Sequence, residues 1–137
     1  MAGTILCCVN GSAHARRAVE LAVEMAKGLG HSLTFLFVNQ TRPASGYPPI
    51  KAAAEDEARE ILDIAIRYAH AHGVREARPA LVEARDVAAA ILHFAAEAQA
   101  DHIVVGTGNP PFIGRLLLGS VSEAVVAGAA CSVTVAR

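Results

Sequence analysis

Short apolar runs alternate with longer stretches of helical periodicity along this chain. In the longer stretches, apolar residues recur every three or four positions, which predicts amphipathic helices. The alternation of five strands with four helices is typical of a doubly wound α/β fold, with a parallel sheet covered by helices on both faces. The predicted strands are residues 4–9, 31–38, 78–83, 102–105 and 132–135.

Several helix ends can be located from single residues. Gly28 and Gly30 are expected to end the first helix, and Asp86 is a good N-cap for the third. The second helix is predicted over residues 51–72. Residues 39–50 contain three prolines and a glycine, so they are predicted to form an irregular connection, either a lid over a site or a plain loop.

The most informative segment follows the fourth predicted strand. Gly106 and Gly108 let the backbone turn and approach a ligand closely, and Gly119 and Ser120 then begin a helix. The first amides of a helix have no partner within it, and the helix dipole favours a negative charge there. This arrangement predicts an anion site where the strand end meets the helix start.

A simpler interpretation fits the same residues. The sequence Ser120-Val121-Ser122-Glu123 also matches a capping box, in which Ser120 caps the Glu123 amide and the Glu123 side chain reaches back. In that case the helix start is satisfied by its own side chains and binds nothing. The spacing alone leaves both interpretations open.

Composition and charge exclude several classes of protein. The 137 residues are 53% hydrophobic and only 4% aromatic, which predicts one domain, residues 1–137, with a core of small aliphatic side chains. A formal net charge of -1 and scattered arginines argue against nucleic-acid binding. No apolar run approaches the roughly 18 residues that a membrane helix needs, and no signal peptide is apparent, so we expect a cytoplasmic protein without a membrane partner.

Two motifs at opposite ends of the chain resemble those of a known family. Residues 5–12 read I-L-C-C-V-N-G-S and are similar to the opening strand and turn of universal stress proteins, I-L-V-P-V-D-G-S. The family signature G-x-x-G, nine residues, G-[S/T] aligns with Gly106, Asn109, Gly119 and Ser120. The resemblance covers essentially the whole chain and implies the strand order 3-2-1-4-5.

The resemblance also implies a site for ATP or a related adenine nucleotide, with Mg²⁺ as an optional bridge between phosphates. When the family's binding positions are transferred by alignment, Val38 and Asn10 are expected to hold the base and ribose. Gly106 and Asn109 are expected to lie near the ribose and phosphates. Residues 119–122 bind the phosphates through amides and hydroxyls. The full predicted set is Val9, Asn10, Val38, Gly106, Thr107, Gly108, Asn109, Gly119, Ser120, Val121 and Ser122.

Some positions depart from the family pattern and support an alternative. Asn10 replaces an aspartate, Asn109 replaces the second glycine, and Pro110 and Pro111 remove two amide donors from the loop. These changes favour a universal stress protein that has lost nucleotide binding and acts as a dimeric scaffold for protein contacts. The sequence leaves both hypotheses open.

Members of the family commonly pair through their last strand. Here that strand is predicted at residues 132–135, where Val133 and Val135 alternate with Ser132 and Thr134. Its outer edge would offer free backbone groups to a second copy. The resemblance therefore implies a homodimer.

The sequence favours binding over catalysis. No Gly-Lys-Ser/Thr tripeptide of a Walker loop is present, and no serine has a histidine and acidic partner at a suggestive spacing. The histidines are dispersed, so no metal site is predicted. Slow ATP hydrolysis would have no identifiable general base.

Overall fold

The structure, a computed structural model, describes residues 3–107 and 119–137. In this part of the chain, strands and helices alternate with one exception, where two strands follow each other directly. The elements in chain order are β1 Thr4–Cys8, α1 Ala13–Leu29, β2 Ser32–Ala44, β3 Tyr47–Lys51, α2 Glu55–Ala71, β4 Ala77–Ala84, α3 Val87–Glu97, β5 His102–Gly106, α4 Ser120–Gly128 and β6 Ser132–Ala136.

Five parallel strands form the main sheet in the order β4-β2-β1-β5-β6. Numbered without β3, this order is 3-2-1-4-5, so the predicted doubly wound topology is confirmed. The central strand β1 pairs with β2 and β5, and Leu6 lies opposite both Thr34 and Ile103. The chain changes its direction of winding between β1 and β5, which opens a crevice at the carboxyl ends of these two strands.

The central strand β1 supplies alternate side chains to two core layers, one on each face of the sheet. Ile5 and Cys7 pack with α1 and α2, whereas Leu6 packs with α3 and α4. Small side chains let the helices approach the sheet closely. The buried hydrophobic helix residues of the two layers are Ala18, Ala22, Val23, Ala26, Ala58, Leu62, Ala65 and Ala69 on the first face, and Ala88, Ile91, Ala95 and Val125 on the second.

The prediction of an irregular connection at residues 39–50 was wrong. β2 continues to Ala44, and β3 returns antiparallel to it through a turn in which Gly46 has a φ of 75°. Pro48 and Pro49 are tolerated because β3 is exposed along its whole length, and Pro43 lies where the pairing of β2 with β3 shifts register between Arg42 and Ala44. The predicted start of the second helix at residue 51 was also wrong, since Lys51 ends β3 and α2 begins at Glu55.

The predicted caps at Asp86 and Gly30 agree with the structure, whereas Gly28 lies inside α1 and does not end it. The carboxylate of Asp86 accepts a hydrogen bond from the Ala89 amide at 3.0 Å and caps α3, and Gly30 ends α1 in the left-handed conformation with a φ of 68°. None of the helices within residues 3–107 and 119–137 is both long and apolar enough to cross a membrane.

Candidate functional site

A cavity of about 530 Å³ lies at the crevice predicted by the topology. It is bounded by the carboxyl ends of β1 and β5, the adjoining part of β2 and the start of α4. Cavities of this size hold small organic ligands. Eight of the residues predicted for the nucleotide site line it: Val9, Asn10, Val38, Gly106, Gly119, Ser120, Val121 and Ser122.

The remaining three predicted residues do not line the described cavity. Thr107 is buried, and its carbonyl accepts a hydrogen bond from the Gly119 amide at 2.7 Å. Gly108 and Asn109 lie outside the described residues. The hydrogen bond between Thr107 and Gly119 brings the end of β5 and the start of α4 together at the cavity wall.

Side chains close the turn between β1 and α1. The Ser12 amide donates to Oδ1 of Asn10 at 3.0 Å, and the Ala15 amide donates to Oγ of Ser12 at 3.2 Å. Gly11 has a φ of 80°, and a Cβ added there would lie 2.8 Å from Cδ1 of Ile61. The Asn10 and Ser12 side chains therefore each accept a backbone amide, and Gly11 is required by both conformation and space.

The start of α4 differs from a capping box. Gly119 is the N-cap residue, and the Glu123 amide donates to the Gly119 carbonyl at 2.9 Å as an ordinary helical bond. Ser120 therefore lies inside the helix rather than at its cap, and the capping-box interpretation was wrong. Within the described residues, no side chain caps this helix. Its first amides are thus available at the cavity wall.

Ser122 fixes the helix start to the sheet. Its side chain is buried, and its hydroxyl donates a hydrogen bond to the carbonyl of Gly106 at the end of β5. This bond holds α4 in position against β5. The backbone amide of Ser122 is the group that this residue can offer to a ligand.

The inner part of the cavity is apolar. Burial raises the pKa of the Cys8 thiol to about 12, so the thiol is uncharged at neutral pH. An uncharged, mostly aliphatic wall favours an aromatic or otherwise apolar group of a ligand. The apolar side chains that line this part include Cys8, Leu36, Val38, Val87, Ile91 and Val105.

Sequence reasoning missed the wall that closes the cavity on the β2 and α2 side. Buried Asn39 forms two hydrogen bonds with the backbone of Ala53, at 2.8 and 3.0 Å, and so holds the start of α2 against β2. Gln40 and Glu57, which line the cavity, belong to the same region. The roles of Asn39 and Gln40 could not be predicted because residues 39–50 were assigned to an irregular connection, and no sequence motif singles out Glu57 within the predicted helix.

The described cavity has no cationic side chain. Among its described lining residues, Glu57 alone carries a formal charge. The described part of the chain also lacks any cluster of three or more His, Cys, Asp or Glu side chains suited to a metal ion. Within residues 3–107 and 119–137, backbone amides at helix starts are therefore the groups that attract an anion here, and of the α1 and α4 starts, the one without a side-chain cap is that of α4.

The topology and this crevice define a doubly wound α/β protein with a ligand cavity at its switch point. A sequence model of the universal stress protein family matches residues 1–137, and the chain belongs to that family. It is 34% identical over 137 residues to a universal stress protein of Thermus aquaticus, with 98% of each chain covered.

Solved structures show the same similarity. A universal stress family protein from Burkholderia pseudomallei is 30% identical, with a TM-score of 0.78 and coverage of 97% of this chain and 94% of the other. A universal stress protein solved in complex with cAMP is 27% identical, with a TM-score of 0.76 and coverage of 98% and 96%.

Proposed function

We propose that this universal stress protein binds an adenine nucleotide in the 530 Å³ cavity. The observation that carries this proposal is the start of α4, which has no side-chain cap and borders a pocket that is otherwise mostly apolar. A nucleotide combines the two chemistries that such a site can recognise, a flat base and an anionic phosphate.

In this proposal the base lies against the aliphatic wall formed by Val38 and its neighbours, near Val9. Asn10 lies at the mouth between β1 and α1, in reach of a ribose. The phosphate binds at the amides of residues 120–122, next to Gly106 and Gly119. Thr107, Gly108 and Asn109 belong to the proposed site as parts of the loop that follows β5.

The comparison with relatives supports an adenine compound. The cAMP-bound universal stress protein shares this fold at 27% identity over nearly the full length of both chains. The physical features of the cavity agree with that ligand class, because a single helix start can satisfy one phosphate group. We extend the proposal to AMP and ATP, which contain the same base and ribose.

Magnesium enters the proposal only with a nucleotide that carries several phosphates. The described residues provide no metal-binding cluster, so the cation would be held mainly by phosphate oxygens. Glu57 is the carboxylate that lines the cavity. We propose a binding function without catalysis. Among the described lining residues, no serine hydroxyl is hydrogen-bonded to a histidine or a carboxylate that could act as its base.

The test is urea-induced unfolding of the purified protein with AMP, cAMP, ATP or ATP with Mg²⁺. A nucleotide present at 100 times its dissociation constant should raise the free energy of unfolding by about 2.7 kcal/mol. If millimolar concentrations of all four leave the unfolding curve unchanged, the proposal is wrong. The hypothesis of a protein-interaction scaffold would then be favoured.

Gly119→Val tests the location of the phosphate. The variant places a branched side chain at the start of α4 and should remove the increase caused by nucleotide, while the apo protein still unfolds cooperatively. Gly28→Val is a matched control, because no atom lies within 4 Å of a Cβ added at Gly28. If the Gly119 variant still responds to nucleotide, the phosphate binds elsewhere.

We also propose that two copies pair through β6. Among the described strands, β6 pairs only with β5, so its other edge has free backbone groups. Val133, Thr134 and Val135 are half-buried and Ser132 is exposed at this edge strand. Light scattering at micromolar concentration should give the mass of a dimer, and a monomer mass would overturn this proposal.

A further inference from the structure

A second cavity, of about 490 Å³, separates helices α1 and α2 on one face of the sheet. We refer to it as the α1–α2 groove. Its lining extends from Val9 and the turn before α1 to residue 20 on α1, and from residue 61 to residue 68 on α2. At a rise of 1.5 Å per residue, the groove is about 12 Å long.

The groove is lined mainly by aliphatic side chains. Val19 belongs to α1, whereas Ile61, Ile64 and Ala65 belong to α2. Ile64 is 55% exposed, although it lies in the middle of a helix that packs on the sheet. An aliphatic lining of this kind favours a ligand with an apolar body.

The rim of the groove has one unpaired positive charge. Arg16 lines the groove and forms no ion pair within residues 3–107 and 119–137. Glu20, the acidic residue of the lining, is already paired with Arg17, which lies 3.5 Å away. The guanidinium of Arg16 is therefore free to bind a carboxylate.

We infer that the α1–α2 groove binds a small amphipathic carboxylate, such as a bicyclic aromatic acid or a medium-chain fatty acid. The apolar body lies against Ile61, Ile64 and Val19, and the carboxylate accepts hydrogen bonds from Arg16. Tyr68, whose ring stacks on His72 with a centroid separation of 4.0 Å, forms the far end of the groove. The charge of Arg16 selects an acid over a neutral compound of the same shape.

This groove is distinct from the proposed nucleotide cavity, although the two share a wall. Val9, Ser12, Ala15 and Ile61 line both, whereas Arg16, Val19 and Ile64 line only the groove. The start of α4 lines only the nucleotide cavity. The two sites can therefore be tested independently with variants on opposite sides of Ile61.

The experiment compares 2-naphthoate with the uncharged 2-naphthamide by isothermal titration calorimetry on the full-length protein. Wild-type protein should bind the acid about tenfold more tightly than the amide, since a charged hydrogen bond supports only the acid. Arg16→Gln should remove this preference. Lys27→Gln is the matched control on the same helix, because Lys27 is exposed, does not line the groove and forms no ion pair within the described residues, so the preference should remain.

A second pair of variants tests the apolar part. Ile64→Asp places a negative charge in the groove and should weaken the binding of 2-naphthoate about tenfold or more. Val126→Asp is the control, because Val126 is similarly exposed, at 45%, on the opposite face of the sheet. Both replaced side chains are at the surface, so both variants are expected to fold.

Three outcomes would overturn the inference. The first is no binding of 2-naphthoate at millimolar concentration, and the second is equal binding of acid and amide in wild-type protein. The third is a protein dimer that Ile64→Asp dissociates, which would make the groove an interface between copies. Loss of the nucleotide response in Gly119→Val has no bearing on these results, because Gly119 does not line the groove.

Discussion

The starts of helices α1 and α4 border the same cavity but are satisfied in different ways. At α1, the Asn10 side chain accepts the amide of Ser12 in the turn, and the Ser12 side chain accepts the amide of Ala15 in the first turn of the helix. At α4, the N-cap is Gly119, which has no side chain to offer. Both helices come after a parallel strand of the same sheet, so the difference lies in the cap residue and not in the topology.

This comparison indicates which helix start is suited to a ligand. A side-chain cap stabilises a helix start by roughly 1 kcal/mol relative to alanine, and it also occupies the amides that an anion would use. Glycine at the cap position costs only a few tenths of a kcal/mol relative to the best caps, so α4 is stable without a side-chain cap. In the proposed function, the start of α1 is stabilised by its side-chain cap, and the start of α4 binds the phosphate.

The largest expected effect comes from giving α4 a cap like that of α1. Gly119 has a φ of -64° and a ψ of 159°, a conformation open to any residue, so Gly119→Asp should fold without strain. Its carboxylate should cap the helix and repel a phosphate. We expect the increase of about 2.7 kcal/mol at saturating nucleotide to disappear in urea unfolding, while the apo protein gains a few tenths of a kcal/mol.

Gly119→Ala serves as the control for this variant. It adds a methyl group without a charge or a hydrogen-bond acceptor, so it should reduce the nucleotide response less than aspartate does. Equal responses in wild type and Gly119→Asp would show that the α4 amides do not hold the phosphate, and the comparison between the two helix starts would lose its functional meaning.

The contrast between the helix starts was only partly predictable from the sequence. The order of the parallel strands and the meeting of the β1 and β5 ends followed from the alternation of elements and the family resemblance. The cap residue of α4 could not be predicted in this way. Ser120 and Glu123 match the capping-box pattern in the sequence, although Gly119 is the N-cap in the structure. The choice depends on the hydrogen bond between Gly119 and Thr107, which is a tertiary contact.

The hairpin of β2 and β3 was missed for a related reason. Pro43, Pro48 and Pro49 are breakers of buried strands, so the local signal favours a loop. Prolines are tolerated in an exposed edge strand such as β3. Whether a strand is exposed depends on the whole fold and not on the local sequence. Asn39 then docks this region through Ala53, and Gln40 and Glu57 become cavity residues that no sequence motif indicates.

The second prediction removes the cap of α1. Ser12→Ala eliminates the hydrogen bond from the Ala15 amide, so the free energy of unfolding of the apo protein should fall by about 1 kcal/mol. The nucleotide response should decrease less than in Gly119→Asp, because the proposed phosphate contacts are on α4. If Ser12→Ala reduces the stabilisation by nucleotide more than it reduces the free energy of unfolding of the apo protein, the anion would be assigned to α1 instead.

The smallest expected effect separates the hydroxyl of Ser122 from its amide. Ser122→Ala removes the hydrogen bond to the Gly106 carbonyl, which should lower the free energy of unfolding by about 1 kcal/mol or less, as measured in urea. The amide remains, so most of the increase caused by nucleotide should persist.

Ser120→Ala is the matched control for Ser122→Ala, because Ser120 is exposed in the same turn and should have little effect on stability. If Ser122→Ala instead abolishes the nucleotide response and leaves the stability of the apo protein unchanged, the hydroxyl must contact the ligand directly. The bond to Gly106 would then be a contact that the ligand replaces, and the start of α4 would bind the anion through a side chain and not through its amides alone.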